Sequence, residues 1–139
     1  MKVIVKHKNS GIDKKHYNFY NQFVKYLQKQ YPLKDDVIVS FLGDRTGTMT
    51  TGSRSEDEIK VLTKNRMNRD ICRTLAHEWV HEYQRTILNR EHGPDIGGQN
   101  EDEANAEAGK VIKMFEKDFP KMEKMMYEEI VINLLKKLI

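Results

Sequence analysis

The sequence predicts an α+β domain in which a small antiparallel or mixed sheet packs on helices at about 68–88 and 100–118 and on a C-terminal helix. Three observations predict it. Residues 37–63 carry β-branched and apolar runs broken by Gly43, Gly47 and Gly52, the pattern of strands and turns. Apolar residues recur at helical spacing before and after that stretch. Pro120 suits the first turn of a last helix.

Taken in order, Lys2–Lys6 alternates weakly and predicts a short strand. Asp13 is placed to cap a helix reaching Tyr31, with Tyr17, Tyr20, Val24, Leu27 and Tyr31 on one stripe and Pro32 stopping it. These tyrosines read as core packing. Residues 37–63 read as a β-meander. Val37–Leu42 forms its buried strand, Thr48–Thr51 its edge strand and Glu58–Thr63 a third strand. Asn68 then predicts the N-cap of a helix to Leu88, with Asp70 in its first turn. Gly93-Pro94 and Gly97-Gly98 mark a loop, and the next helix runs from about Asn100 to Asp118. In the last helix Met122, Met126, Ile130, Leu134 and Leu138 form an i+4 ladder, beside Val131 and Leu135. That ladder fits packing on the preceding helices and leaves a dimer surface as the alternative to a monomer.

The 139 residues suit a single domain, 1–139. A formal net charge of +3, from 24 basic and 21 acidic side chains, speaks against a nucleic-acid partner. No apolar run approaches the ~18 residues of a membrane span, and the N-terminal apolar run is too short for a signal-peptide core. Cys72 is the only cysteine, so no disulfide forms within the chain. A lone thiol fits a reducing, cytoplasmic setting. With 38% hydrophobic residues the core is thin, and a metal could staple it.

The chemistry concentrates in His77-Glu78-Trp79-Val80-His81. On a helix, residues four apart lie about 40° from each other, so both imidazoles project from one face and can share a metal. Glu78, about 100° from His77, can approach a metal-bound water without binding the metal. Cys72, Ala76, Trp79, Val80, Tyr83 and Ile87 form an apolar arc, and Thr74, His77, His81 and Gln84 flank it. A third ligand is expected in 101–108. Glu101 shares a face with Ala104, Asn105, Ala108, Ile112 and Phe115, whereas Glu103 and Glu107 fall on a solvated side with Lys110 and Lys117. Glu101 can complete a His₂Glu site for Zn²⁺. Asn105 is placed to hydrogen-bond the outer nitrogen of a ligand histidine.

With these residues the chain resembles the gluzincin metallopeptidases, which join H-E-x-x-H to a glutamate on a following helix. Leu75-Ala76-His77-Glu78 with Glu101-x-Glu103-Ala104-Asn105 is similar to ImmA/IrrE-type peptidases and to stand-alone minimal gluzincins. The resemblance spans about residues 37–115 and implies a zincin-like domain. It also implies a zinc endopeptidase that cuts a peptide or protein substrate. His77, His81 and Glu101 would bind zinc, and Glu78 would act as general base and then general acid on the attacking water. The substrate would add a strand at the sheet edge, with Thr48–Thr51 as first choice and Glu58–Leu62 as second. His92 or Tyr127 would help the oxyanion.

Other residues bound this reading. Glu82 follows His81, where metallopeptidases usually carry an uncharged residue, and is expected to be solvated or paired with Arg85. His7 and His16 lie outside metal spacing and read as surface residues, and Cys72 as an inert core thiol. The alternative function is a zinc-stabilised binding or regulatory module that no longer cuts.

Overall fold

A computed structural model describes residues 2–7, 10–44, 51–55, 57–90 and 98–127. Strand β1 (Val3–Lys6) leads into helix α1 (Lys14–Gln30), then β2 (Val37–Leu42), β3 (Gly52–Arg54) and β4 (Glu58–Leu62). Helices α2 (Asn68–Thr86) and α3 (Gln99–Asp118) follow, then a 3₁₀ turn at Pro120–Met122 and a short α4 (Glu123–Met126). The architecture is α+β with a mixed four-stranded sheet in the order β1-β2-β4-β3.

Strands β1, β2 and β4 fall where the sequence expectation places them, but the strand directions do not make a meander. β2 pairs in parallel with both β1 and β4, and only β3 runs antiparallel, against β4. Alternation specifies which residues face inward and says nothing of strand direction. Because β3 takes the outside position, β4 is interior, between β2 and β3. Glu58–Leu62 is therefore no substrate edge. Of the other expected edge, Thr48–Thr50 lie outside the described residues. The edge strand beside β4 is Gly52–Arg54, one residue beyond Thr51.

Register places the apolar residues of neighbouring strands on one face. Val37, Val39 and Phe41 are buried, as are Ile59 and Val61, and Val39 pairs with Ile59 and Phe41 with Val61. The helices cover this face. Asp13 caps α1 by accepting from the His16 amide at 2.9 Å. Tyr20, Val24 and Leu27 are buried as the stripe predicts, joined by Phe19, Phe23 and Tyr26. Phe115 of α3 meets Phe19, Phe23 and Tyr26 edge-on. The thin core is thus compensated by aromatic side chains, which bury large areas each.

Two residues, Asn68 and His16, differ from their sequence reading. Met67, not Asn68, is the N-cap of α2. Asn68 is fully buried instead, accepting from the Tyr20 hydroxyl at 2.6 Å and donating to the Met125 carbonyl at 2.7 Å. Its amide offers both a donor and an acceptor, so it can tie α1, α2 and α4 together. His16 is buried, its Nδ1 2.7 Å from Asp13, because the cap folds the ring back over the first turn. His7 is exposed, as expected, and packs on Tyr17. Cys72 lies in the core, where burial pushes its thiol well above the ordinary range, consistent with an inert role.

The last helix is described only through Met126. Met125 and Met126 are buried and Met122 packs against the core. The ladder positions Ile130, Leu134 and Leu138, with Val131 and Leu135, lie outside the described residues. Among the described residues no helix is long and apolar enough to cross a membrane.

Candidate metal centre

α2 carries the H-E-x-x-H residues between the sheet and α3. Ile71, Cys72, Leu75, Ala76 and Trp79 are fully buried and hold the helix against the core. Its other flank, with Thr74, His77 and Glu78, faces a cleft of about 350 Å³ also lined by Thr51, Gly52, Arg73, Glu101 and Asn105. Trp79 fixes the helix by donating from its indole N–H to the Tyr31 carbonyl at 2.9 Å.

Three of the expected residues converge. His77 Nε2 and His81 Nε2 lie 3.1 Å apart. Glu101 Oε1 is 3.0 Å from the first and Oε2 is 2.8 Å from the second. Glu101 reaches them from the first turn of α3, whose inward residues Ala104, Ala108, Val111, Ile112 and Phe115 are buried. Small residues at 104 and 108 allow α3 to lie close to α2.

Hydrogen-bond chemistry indicates what this triangle wants at its centre. Gln84 Nε2 donates to the Asn100 carbonyl at 3.1 Å and to Glu103 Oε1 at 3.2 Å. Both partners are acceptors, so the amide is oriented with Oε1 towards His81 Nδ1, 2.9 Å away. Oε1 only accepts, so His81 Nδ1 donates to it, and the ring is held with Nε2 towards His77 and Glu101. The three side chains offer two imidazole nitrogens and a carboxylate oxygen within 4.8 Å of one another, a set that could hold a metal ion. Tetrahedral Zn²⁺ with bonds of about 2.0–2.2 Å holds its ligands about 3.3–3.6 Å apart, so the side chains need open by only a few tenths of an ångström. The residues therefore fit the metal that the motif implies.

Gln84 was visible in the sequence only as a flanking residue of the helix. The structure gives it the role expected of Asn105. Asn105 is exposed and lines the cleft, because the rotation of α3 that buries Val111 turns residue 105 outward. Gln84 succeeds because residues three apart on a helix are neighbours. It is fully buried, and Glu103 is held in turn by Arg90 at 2.9 Å. Arg90 gets there through Asn89, whose left-handed φ of 55° ends the helix and lets the Arg90 amide return to the Gln84 carbonyl. Glu103 is thus a supporting group, not a solvated one. Glu107 is also engaged, accepting from the Tyr31 hydroxyl.

Gln84→Leu should keep the fold but lower zinc affinity about 10–100-fold, the usual cost of removing a group that orients a ligand histidine. Competition with a chromophoric chelator would measure it. Unchanged affinity would show that His81 needs no such support.

Glu82, which follows His81, is buried and paired. It accepts from Arg85 on its own helix and from Arg54 Nη1 of β3 at 3.2 Å. The pair with Arg54 ties the edge strand to α2 beside the cleft. Glu78 is half-buried on the cleft wall and is not part of the ligand triangle. Burial pushes its carboxyl above the ordinary carboxylate range. His77, His81 and Arg54 pull it back, and Glu101 adds to the rise. Tyr127 is 55% exposed and does not line the cleft, so it is not placed to help an oxyanion there. His92 lies outside the described residues.

Compared with protein-family models, curated proteins and solved structures, the chain matches none.

Gly52 explains how the strand comes so near. A Cβ on Gly52 would sit 2.5 Å from Thr74 Cγ2, 3.3 Å from the Lys60 carbonyl oxygen and 3.6 Å from Glu78 Cγ. Thr74 cannot turn aside freely, since its hydroxyl accepts from Arg66 at 2.7 Å. Gly52→Ala should therefore destabilise the domain by about 1–3 kcal/mol through overpacking. Thr74→Ser, which removes Cγ2 and keeps the hydroxyl, should restore part of that loss in the double variant. Thermal denaturation of the four proteins tests it, and simple additivity would refute the contact.

Proposed function

We propose that the protein is a zinc-dependent endopeptidase of the gluzincin type. The observation that carries this reading is the convergence of His77, His81 and Glu101, with Glu78 on the cleft wall outside the ligand set. A purely structural site has no use for that carboxylate. When bound, zinc would supply a Lewis acid for the scissile carbonyl and a water nucleophile near neutral pH.

The chain's own residues supply the rest. His77 Nε2, His81 Nε2 and one oxygen of Glu101 are the three protein ligands, the number typical of catalytic zinc sites. Glu78 takes the proton of the attacking water on a carboxylate oxygen and gives it to the leaving amine. Its partial burial favours that exchange, since a raised pKa brings the group nearer to neutral pH. An extended peptide would lie along Gly52–Arg54 and pair with its outer edge. The absence of a side chain at Gly52 lets that edge approach α2.

The experiment is cleavage of a peptide library by the zinc-loaded protein and by its Glu78→Gln variant. Products from the first and none from the second support the reading. Absence of products from both, with one zinc bound per chain, would favour the zinc-stabilised binding module.

A further inference from the structure

The cleft contains an arginine with nothing to hold. Elsewhere in the described residues arginines bind carboxylates: Arg54 and Arg85 hold Glu82, Arg69 holds Glu116, and Arg90 holds Glu103. Arg66 and Arg73 hold none; Arg73 lines the cleft, and Arg66 lies beside it, bonded to Thr74 of the cleft wall. Arg73 sits one turn before His77, is exposed, and lines the cleft with Thr51, Thr74 and Asn105. It makes no ion pair with Glu78 or Glu101, although both line the same cleft. Arg66 bonds only to neutral oxygens. It donates to the Leu62 carbonyl at 2.8 Å, the Asp70 carbonyl at 3.0 Å and the Thr74 hydroxyl. It also lines an adjoining cavity of about 550 Å³ with Asp44, Lys64 and Asn65, where Lys64 lies 3.8 Å from Asp44. Thr51 borders both cavities, so Arg66 is the cation there without an ion pair to a carboxylate among the described residues.

We propose that Arg73, with Arg66 beside Thr74, receives a carboxylate of the bound peptide and gives the cleft a preference for acidic substrates. The proposal rests on the reading of the cleft as a peptide site. A guanidinium fork suits a carboxylate and gives direction as well as attraction. Arg66, half-buried and bonded to carbonyls, keeps its charge in place at little conformational cost. Arg73 is free to close on the ligand. The carboxylate could belong to an Asp or Glu side chain or to the C-terminus of the peptide, and the two are separable by amidation.

The test uses the zinc-loaded protein and hexapeptides carrying Glu, Gln or Lys at each position in turn, with free or amidated C-termini. Wild-type protein should favour the peptide that carries the carboxylate, Glu over Gln at one position or a free over an amidated C-terminus, by about tenfold in kcat/KM, as expected for a charge-assisted hydrogen bond, and the difference should lie in KM. If Glu and Gln peptides are cut alike and amidation weakens both, the C-terminal carboxylate is the ligand. If the Glu preference survives amidation, the side chain is. Arg73→Glu should invert the order towards Lys, and its melting temperature should match wild type because the residue is exposed.

Fluorescence anisotropy with labelled copies of the same peptides on zinc-loaded Glu78→Gln protein gives a readout that needs no cleavage. Charge-selective binding without cleavage by wild type would support Arg73 and refute the peptidase reading. Cleavage with no charge preference, or a preference untouched by Arg73→Glu, would overturn the role of Arg73 and leave the peptidase reading standing. Neither binding nor cleavage would remove both.

Discussion

Glu78→Gln should leave zinc content and fold intact while peptide hydrolysis falls by about 10²–10⁴-fold, the range associated with loss of a positioned general base. Glutamine keeps the shape and the contact with the space over Gly52, but its amide cannot take a proton from water. Metal content should hold because the ligand triangle is closed by His77, His81 and Glu101 without it. Stability should not fall either, and the sign can be worked out. Burial raises the folded-state pKa of Glu78 above its ordinary value. Ionisation is therefore less favourable in the folded chain than in the unfolded one, and it costs stability as pH rises through the unfolded pKa. A neutral amide removes that cost near pH 7. Zinc stoichiometry, a melting curve and initial rates on one substrate decide the matter together. Undiminished hydrolysis would take Glu78 out of the chemistry, and loss of zinc would make it a structural group instead.

The cluster of His77, His81 and Glu101 was legible because both of its parts obey helix geometry. The i+4 spacing of the histidines survives any tertiary arrangement. Glu101 could be chosen over Glu103 and Glu107 from the apolar periodicity of its own helix. What was not legible depended on two elements meeting. Gln84 carries no signal until Asn100 and Glu103 are known to lie beside it, and the same is true of Arg54 reaching Glu82. The segments of β2 and β4 were readable from their β-branched and apolar runs, whereas β3, Gly-Ser-Arg, carries no such signal. The parallel pairing of β2 with β4 was not readable, since alternation carries no strand direction. Nor was the need for Gly52, where a Cβ would meet Thr74 and the Lys60 carbonyl of other elements.

Removing the metal should lower the melting temperature by about 10 °C. The ligands come from two helices that are distant in sequence, so an ion held by all three binds the folded chain and not the unfolded one. At free zinc about 1,000-fold above the dissociation constant, such linkage is worth about 4 kcal/mol. For a domain of this size that corresponds to several degrees per kcal/mol less than in the smallest domains, or roughly 2–4 °C for each. Without an ion, His81 Nε2, His77 Nε2 and the Glu101 carboxylate, about 3 Å apart, are left to share protons or to separate. The core does not require the metal. Ala104, Ala108, Val111, Ile112 and Phe115 remain buried on α3 regardless, so the chain should stay folded at room temperature. The loosening should concentrate at the start of α3, where Glu101 is the only ligand and Gly98 offers no side-chain cap. Hydrogen exchange should therefore speed up at residues 99–105 before it does at 108–115. His77→Ala should reproduce both effects without chelator. If a sample shown to have lost its zinc melts at the same temperature, the ion serves catalysis alone, and the aromatic packing of α1 on α3 carries the thin core unaided.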